Sequence, residues 1–366
     1  MKIVKVIWIM KIQKKSILEG RKLIYWRIAQ ILTGIAGLGI FISLIFLPKI
    51  GIHAFWNVLI PVAPALLVVS AGLWRNICPL ASTSLLSRHF GLAKNKKVKV
   101  KQQEKLQLIS VILLLLIIPL RHTVLDTNGP ATAIVIGLLA LIAIYVGYQY
   151  DWKSAWCNGL CPIHPVEKLY GRKSLFELPN AHCKSCVNCV SICPDSSPSV
   201  RLLSKKKKMT SRKIAENLMI GGFPGYVLGW FHVQDYSNGE GWNHLISTYA
   251  YPFFSLAVSL TIFLAMKKLF DKKFEKTLIN LFATAAVSIY YWYRLPALIG
   301  FGIIEGDGVL IDLSLTLPTW FPYLLQITST LFFMWWIVFN KKEMTSWLIR
   351  PPYEKVKSPV LTRSLS

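Results

Sequence analysis

Apolar residues in this chain run on for about twenty positions at a time instead of alternating with polar ones, long enough for a helix to cross a bilayer. Ala29 to Leu47 and Phe55 to Trp74 are the first two runs. Leu106 to Leu120 and Ala131 to Tyr150 follow, then a weaker stretch from about Ala215 to Phe231. Leu245 to Met266, Leu278 to about Phe301 and Pro318 to Phe339 complete the set. The pattern predicts an all-α polytopic membrane protein with about eight transmembrane helices.

Charge tests that count. With the N-terminus in the cytoplasm and alternation thereafter, Arg75, Arg88, Lys94 to Lys101, the run from Lys205, Lys267 to Lys273 and the tail from Lys341 fall inside. Lys49, Arg121 with Asp126, Asp235, Glu240, Glu305, Asp307 and Asp312 fall outside. Basic residues gather on one side, as the positive-inside rule requires. Removing the fifth run would invert the later loops. The expectation is therefore eight spans, both termini cytoplasmic, in a cell (inner) membrane.

Composition agrees: 54% of 366 residues are hydrophobic, yet the formal net charge is +25. Nucleic acid is the other usual partner for such charge, but no basic stretch carries interleaved aromatics, and the apolar runs are too long for that class. Anionic lipid is the expected partner of the basic segments. Residues 1–24 read as an interfacial segment with no cleavage expected, since Lys5 and Lys11 interrupt any signal-peptide core. Residues 25–151 read as a four-helix membrane unit, 152–213 as an insert with a basic linker, 214–340 as a second four-helix unit and 341–366 as a basic tail.

The insert carries the chemistry. HCKSCVNCVSICP, residues 182 to 194, spaces Cys183, Cys186, Cys189 and Cys193 two, two and three residues apart before Pro194. Soft thiolates in a tight loop suit a [4Fe–4S] cluster, whereas structural zinc sites pair two-residue gaps across a dozen or more residues. Whether Cys193 or Cys161 supplies the fourth ligand stays open. Upstream, AWCNGLCP places Cys157 one helical turn before Cys161 and Pro162. LWRNICP matches it after the second run, with Cys78 opposite Cys161 and Trp74 in place of Cys157. The first half thus reads as a repeat of two spans and a Cys-Pro turn. Cys78, Cys157 and Cys161 stand as further candidate ligands of a second centre, or as redox-active thiols, against a plain capping role.

This combination resembles the membrane polyferredoxin group, which includes NapH-type quinol dehydrogenase subunits, NosR-type proteins and CcoG-type assembly factors. The likeness covers roughly residues 25 to 195. It implies a membrane-bound iron–sulfur protein with a cytoplasmic ferredoxin-like insert; the cluster ligands carry over, the Cys-Pro role carries over in part and the partner pathway does not. The favoured reading is an electron-transfer component in which the membrane part holds the cluster beside a quinone pool, a redox partner protein or a partner subunit. Three features depart from the group: one complete ferredoxin run where relatives commonly carry two, Trp74 in the first Cys-Pro turn, and no outer domain for a flavin. A maturation or sensing factor using the cluster or the Cys157 and Cys161 thiols is the alternative; a purely bracing cluster is the third reading.

Among other residues, His53, His122, His232 and His244 fall at the outer ends of expected spans. A quinone contact there is favoured over b-type haem, and ordinary interfacial histidine over both. Arg294 is expected to snorkel outward, ahead of pairing with Glu305 or Asp307 or binding an anionic ligand. GGFPG, residues 221 to 225, reads as a helix-contact face.

Overall fold

The computed structural model describes residues 21–94, 96, 98–150, 153–171, 175–176, 178, 181–182, 210–236, 239–304 and 308–339. Among them every regular element is helical, and extended backbone pairs only at an isolated bridge between Lys96 and Tyr150. The main helices are α1 (Arg21–Phe46), α2 (Ile60–Ile77), α3 (Val100–Ile117), α4 (Gly129–Gln149), α5 (His164–Tyr170), α6 (Thr210–Asn217), α7 (Phe223–Trp230), α8 (Leu245–Leu269), α9 (Glu275–Leu298) and α10 (Phe321–Phe333).

Five helical stretches among the described residues are long and apolar enough to cross a membrane: Arg21–Phe46, Pro48–Thr83, Gly129–Gln149, Leu245–Leu269 and Phe321–Phe339. Their outer surfaces carry Ile31, Leu38, Leu141, Phe254 and Leu331, all exposed, as lipid-facing positions require. This is a helical membrane protein. The other three expected runs are also helical. α3 begins at the basic Val100–Lys105 stretch, α9 contains Arg294, and the fifth run is divided into α6, a π-helical turn (Leu218–Gly222) and α7.

Small residues set the close packing. A Cβ on Gly225 would collide with the Ser255 carbonyl oxygen, and one on Gly221 would meet Phe263 Cγ at 2.7 Å. α7 therefore lies directly on the backbone of α8, and Ser259 donates to the Gly221 carbonyl at 2.6 Å across the seam. The helix-contact expectation for GGFPG matches this packing.

One core joins the two halves of the chain. Leu67 and Val68 of α2, Val111 and Leu115 of α3 and Tyr170 of α5 pack with Tyr226 of α7, Val287 and Tyr291 of α9 and Trp336. Tyr291 ties the halves further: its hydroxyl donates to the Pro61 carbonyl at 2.7 Å and accepts from the Ala65 amide at 2.7 Å.

α2 is interrupted at Ser70, whose backbone is extended (φ −158°, ψ 97°). The carbonyls released by the break are used. Phe176 donates its amide to Val69 at 3.0 Å, and Ser70 Oγ donates to the Phe176 carbonyl at 3.0 Å. Non-helical backbone at this depth is tolerable because protein, not lipid, surrounds it. The break lets Leu175, Phe176 and Leu178 lie against Val68 to Gly72 of α2, on the way to the site below.

Candidate functional site

α2 ends in a Cys-Pro turn. Cys78 donates its amide to the Trp74 carbonyl at 2.9 Å, and Pro79 opens a new short helix, Pro79–Thr83. Proline suits that first position, where no amide is required. The matching turn differs by one residue in backbone. Lys153–Leu160 is π-helical, and Cys161 donates to Trp156, five residues back, at 2.9 Å. Ser110 of α3 then donates to the Cys161 carbonyl at 2.6 Å, and Gln107 to the Asn158 carbonyl at 3.0 Å. The sequence repeat is thus real in position, but Cys157 and Cys161 sit on a wider turn than the expected α-helical one.

The two turns meet. Trp74, Cys78, Cys157, Cys161, His164 and Glu167 line one cavity of about 30 Å³. That is room for a water molecule. Cys78 and Cys157 also pack on the same pair of buried residues, Ala81 and Leu85. All three described cysteines are half-buried. Among the described residues no group of three or more His, Cys, Asp or Glu side chains is arranged to hold a metal ion. Cys183, Cys186, Cys189 and Cys193 lie outside the described residues, as does the run from Lys205.

Charge is buried beside the thiols. Arg75 Nε pairs with Glu167 Oε1, their side chains only 13% and 7% exposed. Burial pushes the Glu167 carboxyl up, but Arg75 and then His164 outweigh it, and the carboxyl lies below its ordinary range. His164 Nδ1 stands 3.6 Å from Glu167 Oε2. Burial drives this imidazole down to about 4 despite the carboxylate, so it is neutral at pH 7. Burial, and next the neighbouring Cys78, push the Cys161 thiol up to about 12. Left to protein surroundings alone, that thiol stays protonated and a poor nucleophile.

The approach to the cysteine run is fixed on the same spot. Ala181 donates its amide to Asn76 Oδ1 at 2.9 Å. His182, 1% exposed, places Nε2 at 3.2 Å from the Arg75 carbonyl and 3.5 Å from Gln30 Nε2. Gln30 in turn donates to the Asn76 carbonyl at 3.0 Å, and Thr33 to the Ile77 carbonyl at 2.9 Å. Polar side chains of α1 therefore cap the carbonyls that end α2.

Sequence reasoning missed Arg75, Glu167, His164, His182, Asn76 and Gln30 as parts of this site. The available signal was Gln30 and Asn76, amides placed within or at the edge of apolar runs. Arg75 was read as a loop charge.

The four histidines expected at the far end have separate surroundings. His53 Nδ1 lies 3.2 Å from Asn57 Nδ2, His122 contacts Asp235, His232 donates to Leu228 at 2.8 Å, and His244 stacks on Tyr236 at 4.5 Å. Arg294 is not a snorkelling residue. It is 2% exposed and donates to the Trp56 carbonyl at 2.8 Å and Asn57 Oδ1 at 2.7 Å. Glu305 and Asp307 lie outside the described residues.

No protein-family model, curated protein or solved structure matches the chain.

Proposed function

We propose that this protein is a membrane-bound iron–sulfur electron-transfer component, held in a cell membrane by eight spans with both termini and the cysteine insert on the cytoplasmic side. The four thiols Cys183, Cys186, Cys189 and Cys193 form a donor set suited to one [4Fe–4S] cluster, which supplies one-electron transfer when bound. Electrons would pass between this centre and a quinone pool or a membrane redox partner, in the manner of the polyferredoxin group.

One observation carries the reading. Ala181 and His182 are pinned to Asn76 and Arg75 at the end of α2. They are the last described residues before Cys183 in the sequence, and Arg75, on whose carbonyl His182 rests, lines the cavity that gathers Cys78, Cys157 and Cys161. Arg75 and the His164 imidazole line that cavity beside Cys78, Cys157 and Cys161 and would set the polarity around them.

The test is iron and acid-labile sulfide per chain on anaerobically purified protein, with electron paramagnetic resonance of the reduced sample. About four irons and one signal are expected. About eight irons with interacting signals would bring the Cys-Pro thiols in as ligands of a second centre. Zinc without iron would sink the reading.

The meeting of Cys78, Cys157 and Cys161 in one cavity favours a second reading, a maturation or sensing factor that works through Cys157 and Cys161. Loss of activity in Cys157→Ser with an unchanged cluster signal and no response to a quinol analogue would favour it.

A further inference from the structure

The turn between α8 and α9 is short and strongly charged. α8 ends at Leu269, a single 3-10 turn covers Lys272–Phe274, and α9 begins at Glu275. Phe270 donates its amide to the Met266 carbonyl at 2.9 Å and Phe274 to the Asp271 carbonyl at 2.9 Å, so the backbone of the turn is held. Lys267 Nζ pairs with Glu275 Oε1 at 2.9 Å and lies 5.8 Å from the Phe263 ring, closing the hairpin across its base.

That pair uses one charge of each sign. Lys268, Lys272, Lys273 and Lys276 then stand against Asp271 alone in the sequence of the turn. Lys268, Lys273 and Lys276 are exposed and make no ion pair among the described residues. Large apolar side chains lie among these cations and are exposed as well. Leu269 is 81% exposed, and Phe270 and Phe274 are 51% exposed with their rings 6.3 Å apart.

The apolar tip continues a longer feature. Tyr251, Phe254, Val258, Ile262, Ala265 and Leu269 are all exposed and recur three or four residues apart, a single stripe down α8. In a membrane-spanning helix such a stripe faces lipid. The 25 residues of α8 extend about 38 Å, against about 30 Å for a hydrocarbon core and about 40–45 Å with the headgroups. The last turn of α8 and the tip therefore reach the headgroup layer, where phenylalanine meets acyl chains and lysine meets phosphate. An acidic soluble protein would match the lysines but not the stripe that leads into them. Lys99, Lys101 and Lys105 at the start of α3 are equally exposed, yet their neighbours Val98, Gln103 and Glu104 are buried.

We infer that the α8–α9 turn binds an anionic phospholipid. Lys268, Lys273 and Lys276 take its phosphate headgroup, and Leu269, Phe270 and Phe274 lie against its acyl chains. The inference rests on the helical membrane character of the chain and is independent of the cluster proposed above.

Native mass spectrometry of the full-length protein titrated with phosphatidylglycerol tests this, with zwitterionic phosphatidylcholine as the reference lipid. A lysine near an anionic surface contributes about fivefold in affinity. Lys268→Gln/Lys273→Gln/Lys276→Gln is expected to raise the dissociation constant for phosphatidylglycerol about tenfold or more and to leave that for phosphatidylcholine unchanged. Phe270→Ser/Phe274→Ser keeps every charge and is expected to weaken both lipids. Lys99→Gln/Lys101→Gln/Lys105→Gln removes the same charge elsewhere and should bind as wild type does. All the substituted side chains are exposed, so the fold does not depend on them. Equal losses in the two lysine variants would mean that net charge alone attracts the lipid. Wild-type binding of phosphatidylglycerol in the α8–α9 lysine variant would leave the turn to an acidic protein. Either result would overturn the inference.

Discussion

Ala181 donates its backbone N–H to Asn76 Oδ1 at 2.9 Å, tying the last residues before the cysteine run to the end of α2. Both partners are buried, Asn76 at 1% exposure. Replacing Asn76 with leucine leaves the amide desolvated and unpartnered, a cost of about 1–3 kcal/mol. Amide exchange at Ala181 and His182 is expected to quicken about tenfold or more in Asn76→Leu, read by mass spectrometry of the full chain. Unchanged protection would show that His182 and Gln30 hold the segment without Asn76.

The buried Arg75–Glu167 pair should fail in one direction only. Removing one partner strands the other charge in protein, and such losses cost about 3–5 kcal/mol. Glu167→Gln and Arg75→Leu are each expected to lower the thermal midpoint of the detergent-solubilised protein. The double variant Arg75→Leu/Glu167→Gln should recover part of the loss. Additive losses would mean that the pair is not coupled.

Acid should loosen the same region. The folded pKa of His164 is depressed to about 4 from an ordinary 6.5, so below about pH 6.5 the unfolded chain binds the proton more readily. Stability falls as pH drops from 6.5 toward 4, by roughly 3 kcal/mol at the lower end if the site stays intact. Glu167, also depressed, adds to the loss as pH falls below the ordinary carboxylate range. The melting midpoint of wild type is expected to fall between pH 7 and pH 5, and His164→Gln should flatten the part above pH 5. Equal slopes in the two proteins would remove His164 as the cause.

How much of this was legible in the sequence follows from what each residue does. Apolar runs with charges sorted between loops are a property of composition, so the helical membrane character could be read directly. The Cys-Pro turns could be placed because proline after cysteine ends a helix whatever surrounds it. The break at Ser70 could not be read: the sequence VVSAG continues an apolar helix, and only the Leu175–Phe176 segment lying alongside supplies partners for the freed carbonyls. Arg75 and Arg121 were invisible as buried charges for a similar reason. Each sits at the end of an apolar run, where a topology rule assigns it to a loop; Glu167 and Asp235 lie far away in sequence, and only Asp126, five residues after Arg121, was a partner within reach of the local pattern. His164 carried no local pattern at all; its meaning comes from the cavity.

The close seam between α7 and α8 gives the sharpest steric contrast. Gly225 faces the Ser255 carbonyl so closely that a methyl group cannot enter unless the helices separate, and Ser259 Cβ lies 2.6 Å from the same point. Gly34 on α1 has nothing within 4 Å of the equivalent position. Both glycines lie in helices, so alanine removes the same backbone freedom at each, a gain of roughly 0.5–1 kcal/mol. At Gly34 that gain should stand, and the melting midpoint of Gly34→Ala should equal or slightly exceed wild type. At Gly225 overpacking typically costs about 1–3 kcal/mol, and a larger loss is expected because backbone, not a pliable side chain, is what the methyl group meets. Gly225→Ala should therefore melt several degrees lower. It should also weaken the Ser259 bond to Gly221, so that Ser259→Ala costs less in the Gly225→Ala background than in wild type. If the two alanine variants melt alike, α7 and α8 are not held at backbone contact.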